Sequence, residues 1–267
     1  MVRLALRHGE CQVCPRGFRL LWANLLTARP PSFSGHNGGM SQTQHEGHER
    51  HGDETEDPQA IARRFDERAE EYDESAFHRA LAEQAVAFAG IDGVRTVLDV
   101  ATGTGLVLRA LPASVRMTGV DVSPGMIAVA RRQLPAARLI VADASGDLDL
   151  EDAQFDLITC VTALHLLPNP AQAMSSWRRL LAPGGRVVVA GFRHGDASEV
   201  PEVADAIRHG AERRPHGSHD SLHARVGTPE KLQRLAEEAG YAMTRTETWV
   251  HQEPFEVCLL AEFVPAS

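Results

Sequence analysis

Between Thr96 and Phe192 the chain alternates short apolar segments with amphipathic ones. "TVLDVA", "RMTGVDV", "ARLIVADA", "FDLITCVT" and "GRVVVAGF" read as strands. "GLVLRALP", "PGMIAVARRQLP" and "PAQAMSSWRRLL" read as helices between them. This alternation constrains the fold more than any other feature. Strands that are apolar on both faces and are joined through helices must form a parallel sheet with helices on either side.

The flanks extend the pattern. "PQAIARRFDERAEEYDESAFHRALAEQAVAFAGI", from Pro58, carries apolar residues at helical spacing. It predicts two helices with a break near Asp73–Ser75. After the last parallel strand, "TPEKLQRLAEEAG" predicts a helix capped by Thr228, with Pro229 at its first position and Gly240 at its end. "YAMTRTETWVHQ" and "FEVCLLAEFVP" follow as two strands joined by a short polar turn, expected as an antiparallel pair at the sheet's edge. The predicted fold is α/β, a doubly wound, mostly parallel seven-stranded sheet ending in an antiparallel hairpin.

The first 57 residues differ. Residues 1–39 hold five arginines and one acid without periodicity, and "SQTQHEGHERHGDETEDPQ" is polar and acidic. Neither stretch has the apolar content to pack, so residues 1–57 are expected to be a disordered extension. Residues 1–39 read either as an organelle transit peptide or as sequence translated ahead of a true start at Met40. The second is preferred, since many arginines beside the single Lys231 point to a GC-rich bacterial coding sequence. His45, His48 and His51 recur every third residue there, but no fold positions them as ligands, and they read as a solvated tail. Residues 58–267 are then one domain, with 193–226 as a lid or substrate insertion. His216, His219 and His223 cluster in that insertion and read as a polar mobile loop.

Charge and cysteine content narrow the function. The formal net charge is −9 with one lysine, which is ill suited to a phosphate backbone. No apolar run approaches the roughly twenty residues of a membrane span. Cys160 and Cys258 sit in apolar runs and read as reduced core residues, which makes the cytoplasm the default compartment. Cys11 and Cys14 form a C-x-x-C that no second pair answers. No metal site is expected.

The segment that carries chemistry is "VLDVATGTGLV". In a doubly wound sheet, ligands bind outside the carboxyl ends of the strands. The first strand ends on Asp99, and Gly103 and Gly105 let the backbone turn tightly and approach a ligand. A dinucleotide loop needs a third glycine where this chain has Leu108, and a carboxylate at Asp99 suits a cation better than a pyrophosphate.

These residues resemble the class I S-adenosylmethionine-dependent methyltransferases, in particular the small-molecule branch that includes the ubiquinone/menaquinone-biosynthesis type. "LDVATGTG" is similar to that family's D-x-G-x-G-x-G loop, with Ala101 in place of the first glycine, a mild departure since alanine is small. "GVDVSPGMIAVAR", "VADASGDL" and "RRLLAPGGRVVVAGF" match three further family segments in order. The resemblance runs from about Ala60 to the C-terminus and implies S-adenosylmethionine as cofactor. It implies that Asp121 accepts both ribose hydroxyls and that Asp143 contacts the adenine amine. It places Asp99, Ala101, Gly103, Gly105, Val122, Met126, Ala144 and Val161 in the same pocket, and sets Tyr72 closing over cofactor and substrate.

The reaction implied is in-line methyl transfer to a small-molecule acceptor, whose alignment is the protein's main task. The fourth strand ends in "CVTALHLLPNP", without the Asn/Asp-Pro-Pro-aromatic box of nucleic-acid amino-methyltransferases. His165 in that segment is the candidate to take a proton from a hydroxyl acceptor. The rival readings are a nicotinamide-dependent oxidoreductase on a Rossmann sheet and a non-catalytic S-adenosylmethionine-binding protein.

Overall fold

The computed structural model describes residues 57–195, 197–209 and 224–266. Cys11, Cys14, Met40, the His45/His48/His51 run and the His216/His219/His223 cluster lie outside these residues.

The chain runs α1 (Pro58–Asp66), α2 (Ala76–Ala89), β1 (Thr96–Val100), α3 (Leu106–Arg109), β2 (Arg116–Asp121), α4 (Pro124–Gln133) and β3 (Arg138–Val141). It continues through β4 (Phe155–Val161), α5 (Pro170–Trp177), β5 (Leu181–Phe192), α6 (Pro201–Arg208), α7 (Pro229–Glu238), β6 (Tyr241–Gln252) and β7 (Phe255–Pro265). The seven strands form one sheet in the order β3-β2-β1-β4-β5-β7-β6. Strands β1 to β5 pair in parallel, and β7 joins β5 and β6 antiparallel. The order reverses between β1 and β4, so the crevice expected for a ligand opens over the ends of β1, β2 and β4.

Neighbouring residues of one strand feed opposite faces, as the two-residue repeat of a strand requires. Leu98, Ile158 and Val187 pack with Met174, Trp177 and Leu232 of α5 and α7. Val97, Leu157 and Val188 pack with Phe77, Leu81, Leu108 and Ile127 of α2, α3 and α4. Burial on both faces explains why the strands read as continuous apolar runs.

A recurrent signal starts the helices: a capping side chain followed by proline. Ser123–Pro124, Asn169–Pro170 and Thr228–Pro229 each place a side-chain oxygen on the backbone N–H three residues beyond the cap. The expected break in the N-terminal helix is present, with a 3-10 turn at Tyr72–Glu74, although α1 stops earlier, at Asp66. Strand β5 starts earlier than its apolar run suggests. Leu181 pairs with Phe155, and the register then shifts before Arg186 pairs with Leu157.

The segment after β5 contains α6, which its polar sequence did not announce. Val203 and Ala206 of that helix pack with Ala197, Phe255 and Val257, against the turn end of the β6–β7 hairpin. Cys160 and Cys258 are both buried, and neither is in a disulfide. Among the described residues no helix is long and apolar enough to cross a membrane, and no group of His, Cys, Asp or Glu could hold a metal ion.

Candidate functional site

A cleft whose empty space, its solvent-open mouth included, is about 990 Å³ lies over the ends of β1, β2 and β4. Its floor comes from the strand ends and their loops: Asp99, Ala101, Gly103, Asp121, Val122, Asp143, Ala144 and Val161, with Met126 from α4. Pro58, Ile61, Phe65, Tyr72, His78 and Leu81 of the N-terminal helical segment form the opposite wall. Thus the cavity gathers every residue that the sequence assigned to the cofactor except Gly105, together with Tyr72.

The loop after β1 is bent by left-handed backbone at Ala101 (φ 54°), Gly103 (φ 55°) and Gly105 (φ 84°). The size argument for Ala101 was therefore incomplete. Its conformation is one that L-residues adopt at a cost of about 1–2 kcal/mol. Gly103 turns its backbone N–H onto Asp121 Oδ2 at 2.8 Å. Gly105 does something else. A Cβ there would lie 2.7 Å from Leu134 Cδ1, so this glycine lets α3 start close against the end of α4, outside the cavity wall.

Two carboxylates are buried in the floor. Asp99 accepts from Thr102 Oγ1 at 2.7 Å and from Thr159 Oγ1 at 2.6 Å. Burial pushes its pKa up to about 7, against the pull of those two hydroxyls. Asp121 accepts from the N–H of Gly103 and, at 2.8 Å, from that of Ser123. Burial raises its pKa as well, and its backbone bonds oppose the rise. Asp143 is exposed at the rim and accepts from the Ser145 N–H at 2.8 Å. Among the described residues, three carboxylates and no lysine or arginine line this cavity. Such walls fit a cationic, hydroxyl-bearing ligand without phosphate and do not fit a pyrophosphate.

The helical wall is held down by acidic residues. Asp66 accepts from Ser123 Oγ at 2.6 Å and from the Gly125 N–H at 2.7 Å. Asp73 accepts from Thr104 Oγ1 at 2.5 Å and from Arg109 at 2.6 Å. Between them, Tyr72 shares a hydrogen bond with the Thr162 side chain, and burial raises its phenol pKa above the ordinary value. Thr162 itself has a φ of 55°. That is an outlying conformation for a β-branched residue and is of the kind that clusters at ligand sites.

His165 is not brought to this cavity. It is the middle residue of the 3-10 turn Leu164–Leu166, where successive side chains point about 120° apart. Leu166 and Leu167 face the large cavity. His165 is 6% exposed and turns instead into a separate small cavity with Val189, Phe192, Val226 and Leu259. Its expected role toward an acceptor therefore has no support in its placement. The histidine that does line the large cavity is His78, in the first turn of α2, which the sequence reading passed over. Its signal lay only in its position: three residues past the helix cap Ser75 and six past Tyr72. None of the described residues 193–209 lines the cavity, so that part of the expected lid lies elsewhere.

Residues 98–189 match the family model for a methyltransferase domain. A demethylmenaquinone methyltransferase from Deinococcus radiodurans is 32% identical over 157 residues, covering 53% of this chain and 64% of that protein. A ubiquinone biosynthesis O-methyltransferase from Alkalilimnicola ehrlichii is 31% identical over 157 residues, covering 56% of this chain and 61% of that protein. The chain thus spans less than two thirds of the length of these curated relatives. In structure it is similar to the N-methyltransferase NodS from Bradyrhizobium japonicum in complex with S-adenosyl-L-homocysteine. The TM-score there is 0.56 at 20% identity, over 78% of this chain and 98% of that one. The chain is thus similar to methyltransferases over residues 98–189 of its sequence and in its fold.

Proposed function

We propose that this chain, which carries a methyltransferase domain on the class I fold, transfers a methyl group from S-adenosylmethionine to a small-molecule acceptor and releases S-adenosylhomocysteine. The observation that carries the reading is the lining of the large cavity, two buried carboxylates and one at the rim with no lysine or arginine. S-adenosylmethionine brings a sulfonium, an ammonium and a ribose diol, and when bound it supplies an activated methyl group.

The chain's residues then have separable tasks. Asp121, at the end of β2, accepts the two ribose hydroxyls while its backbone bonds hold the β1 loop in place. Asp99 faces the cationic end, where an ionised carboxylate is favoured. Asp143 and Ala144 flank the adenine at the rim, with Met126 and Val122 beneath. Val161 and Tyr72 border the side from which an acceptor approaches. Closing the helical wall over this floor excludes water from the reacting centre. The names of the relatives, which concern menaquinone and ubiquinone, support a small organic acceptor.

The test is transfer of label from methyl-tritiated S-adenosylmethionine to a panel of phenols, quinols and amines, with S-adenosylhomocysteine measured in parallel. Labelled product formed together with an equal amount of S-adenosylhomocysteine supports the reading. Tight binding of a reduced nicotinamide dinucleotide in place of S-adenosylhomocysteine would overturn it.

A further inference from the structure

The imidazole of His78 is the polar group in the cavity wall that the proposed cofactor contacts leave unused. Its Nδ1 is buried and has no hydrogen-bond partner among the described residues. An orphaned buried nitrogen is destabilising, and a ligand that satisfies it recovers that cost. The ring is also fixed in orientation. Tyr72 stacks on it with centroids 4.7 Å apart and planes 7° from parallel, and Phe77 packs against it at 5.3 Å and 55°. Phe77 in turn stacks on Phe192 at 5.5 Å and on Trp249 at 6.3 Å.

Position separates this group from the cofactor contacts. Asp99, Asp121 and Asp143 mark the ends of β1, β2 and β3. His78 stands with Tyr72, whose phenol reaches Thr162 just beyond the end of β4. An acceptor that meets the methyl in line has to lie on that side. Its immediate surroundings there are apolar, including Leu81, Ala82, Leu166 and Pro168.

We propose that His78 is an acceptor-contacting residue that selects for a hydroxyl group on an otherwise apolar ring-bearing molecule, with the hydroxyl hydrogen-bonded to its imidazole. A hydroxyl fits because it can donate or accept, so it satisfies Nδ1 in either neutral tautomer. A protonated amine or a carbonyl satisfies only one. The charge state agrees: burial and Arg68 lower the imidazole pKa to about 4, with Glu256 opposing, so the ring is neutral near pH 7. The inference rests on the cavity being the S-adenosylmethionine site.

The test uses the full chain saturated with S-adenosylhomocysteine and two probes with the same ring system, 1-naphthol and 1-methoxynaphthalene. Calorimetry should show 1-naphthol binding at least ten-fold more tightly than the ether. His78→Phe keeps a ring for Tyr72 and Phe77 to pack on but removes both nitrogens. It should erase the preference by weakening 1-naphthol about ten-fold, with S-adenosylhomocysteine affinity within two-fold of wild type. In the ¹⁵N-histidine-labelled wild-type protein, 1-naphthol should move the His78 ring resonances and the ether should not, a readout that stands even if the variant fails to fold. Equal affinity for the two probes, no binding of 1-naphthol, or a preference that survives in His78→Phe would each overturn the proposal. Failure of S-adenosylhomocysteine to bind at all would instead overturn the reading of the cavity on which it rests.

Discussion

On the assignment proposed above, with Asp99 toward the cationic end of S-adenosylmethionine, the affinity depends on pH in a range where an ordinary exposed carboxylate is already ionised. In the free protein its pKa is raised to about 7 because the group is fully enclosed. A cation placed within a few ångströms favours the ionised form and lowers a carboxylate pKa by about 1–3 units. Binding below pH 7 therefore has to expel a proton, and affinity rises with pH until Asp99 is ionised in the free protein. Taking the middle of that range, two units, affinity should increase about 20-fold, or about 1.8 kcal/mol, between pH 5.5 and 7.5. The sign for the free protein follows separately. Its folded-state pKa lies above the unfolded value, so the stability linked to Asp99 is fully present below about pH 4 and is lost as pH rises through 7. Titration calorimetry in two buffers of different ionisation enthalpy would read both affinity and proton release. Asp99→Asn isolates the group, since Asp121 is also buried and remains in place. That variant should bind with little pH dependence. An affinity flat from pH 5.5 to 7.5 in the wild type, without proton release, would refute the reasoning.

Other perturbations have defined outcomes. Asp121→Ala should weaken cofactor binding by about 2–3 kcal/mol. Because Gly103 and Ser123 also lose their acceptor, it should lower the melting temperature too. Ala101→Gly relieves a left-handed alanine and should raise stability by about 0.5–1 kcal/mol in a denaturant titration. Asp73→Ala strips Arg109 and Thr104 of their shared carboxylate. It should cost about 1–2 kcal/mol and speed cofactor release in stopped-flow measurements. His165→Ala should lower the melting temperature and leave S-adenosylhomocysteine affinity unchanged, since the ring is buried away from the large cavity.

The sheet was legible because its strands are buried on both faces, so Val97–Val100 and Leu157–Val161 announce themselves as apolar runs interrupted only by Asp99 and Thr159. The floor of the cavity was legible because the loop after β1 needs small residues and because Asp121 ends its strand. What stayed hidden depended on direction rather than residue type. His165 and His78 are both histidines beside apolar neighbours, and only the rotation of a 3-10 turn and of the first turn of α2 decides which of them faces the cavity. Gly105 was grouped with Gly103 by motif, whereas the clash a side chain would make with Leu134 assigns it to packing. The left-handed φ of Thr162 has no sequence signal, because a β-branched residue is the last expected there. Helix α6 was hidden because only Val203 and Ala206 of its eight residues are buried.

The central claim is that this cavity is shaped for S-adenosylmethionine and an acceptor meeting over β4, and a crystal structure with S-adenosylhomocysteine tests it most directly. The account predicts the ribose diol on Asp121, the amino group toward Asp99, the adenine beside Asp143 and Ala144, and the sulfur open toward Tyr72, Thr162 and His78. A ligand bound elsewhere, or one in the cavity that leaves Asp121 without a contact, would contradict it.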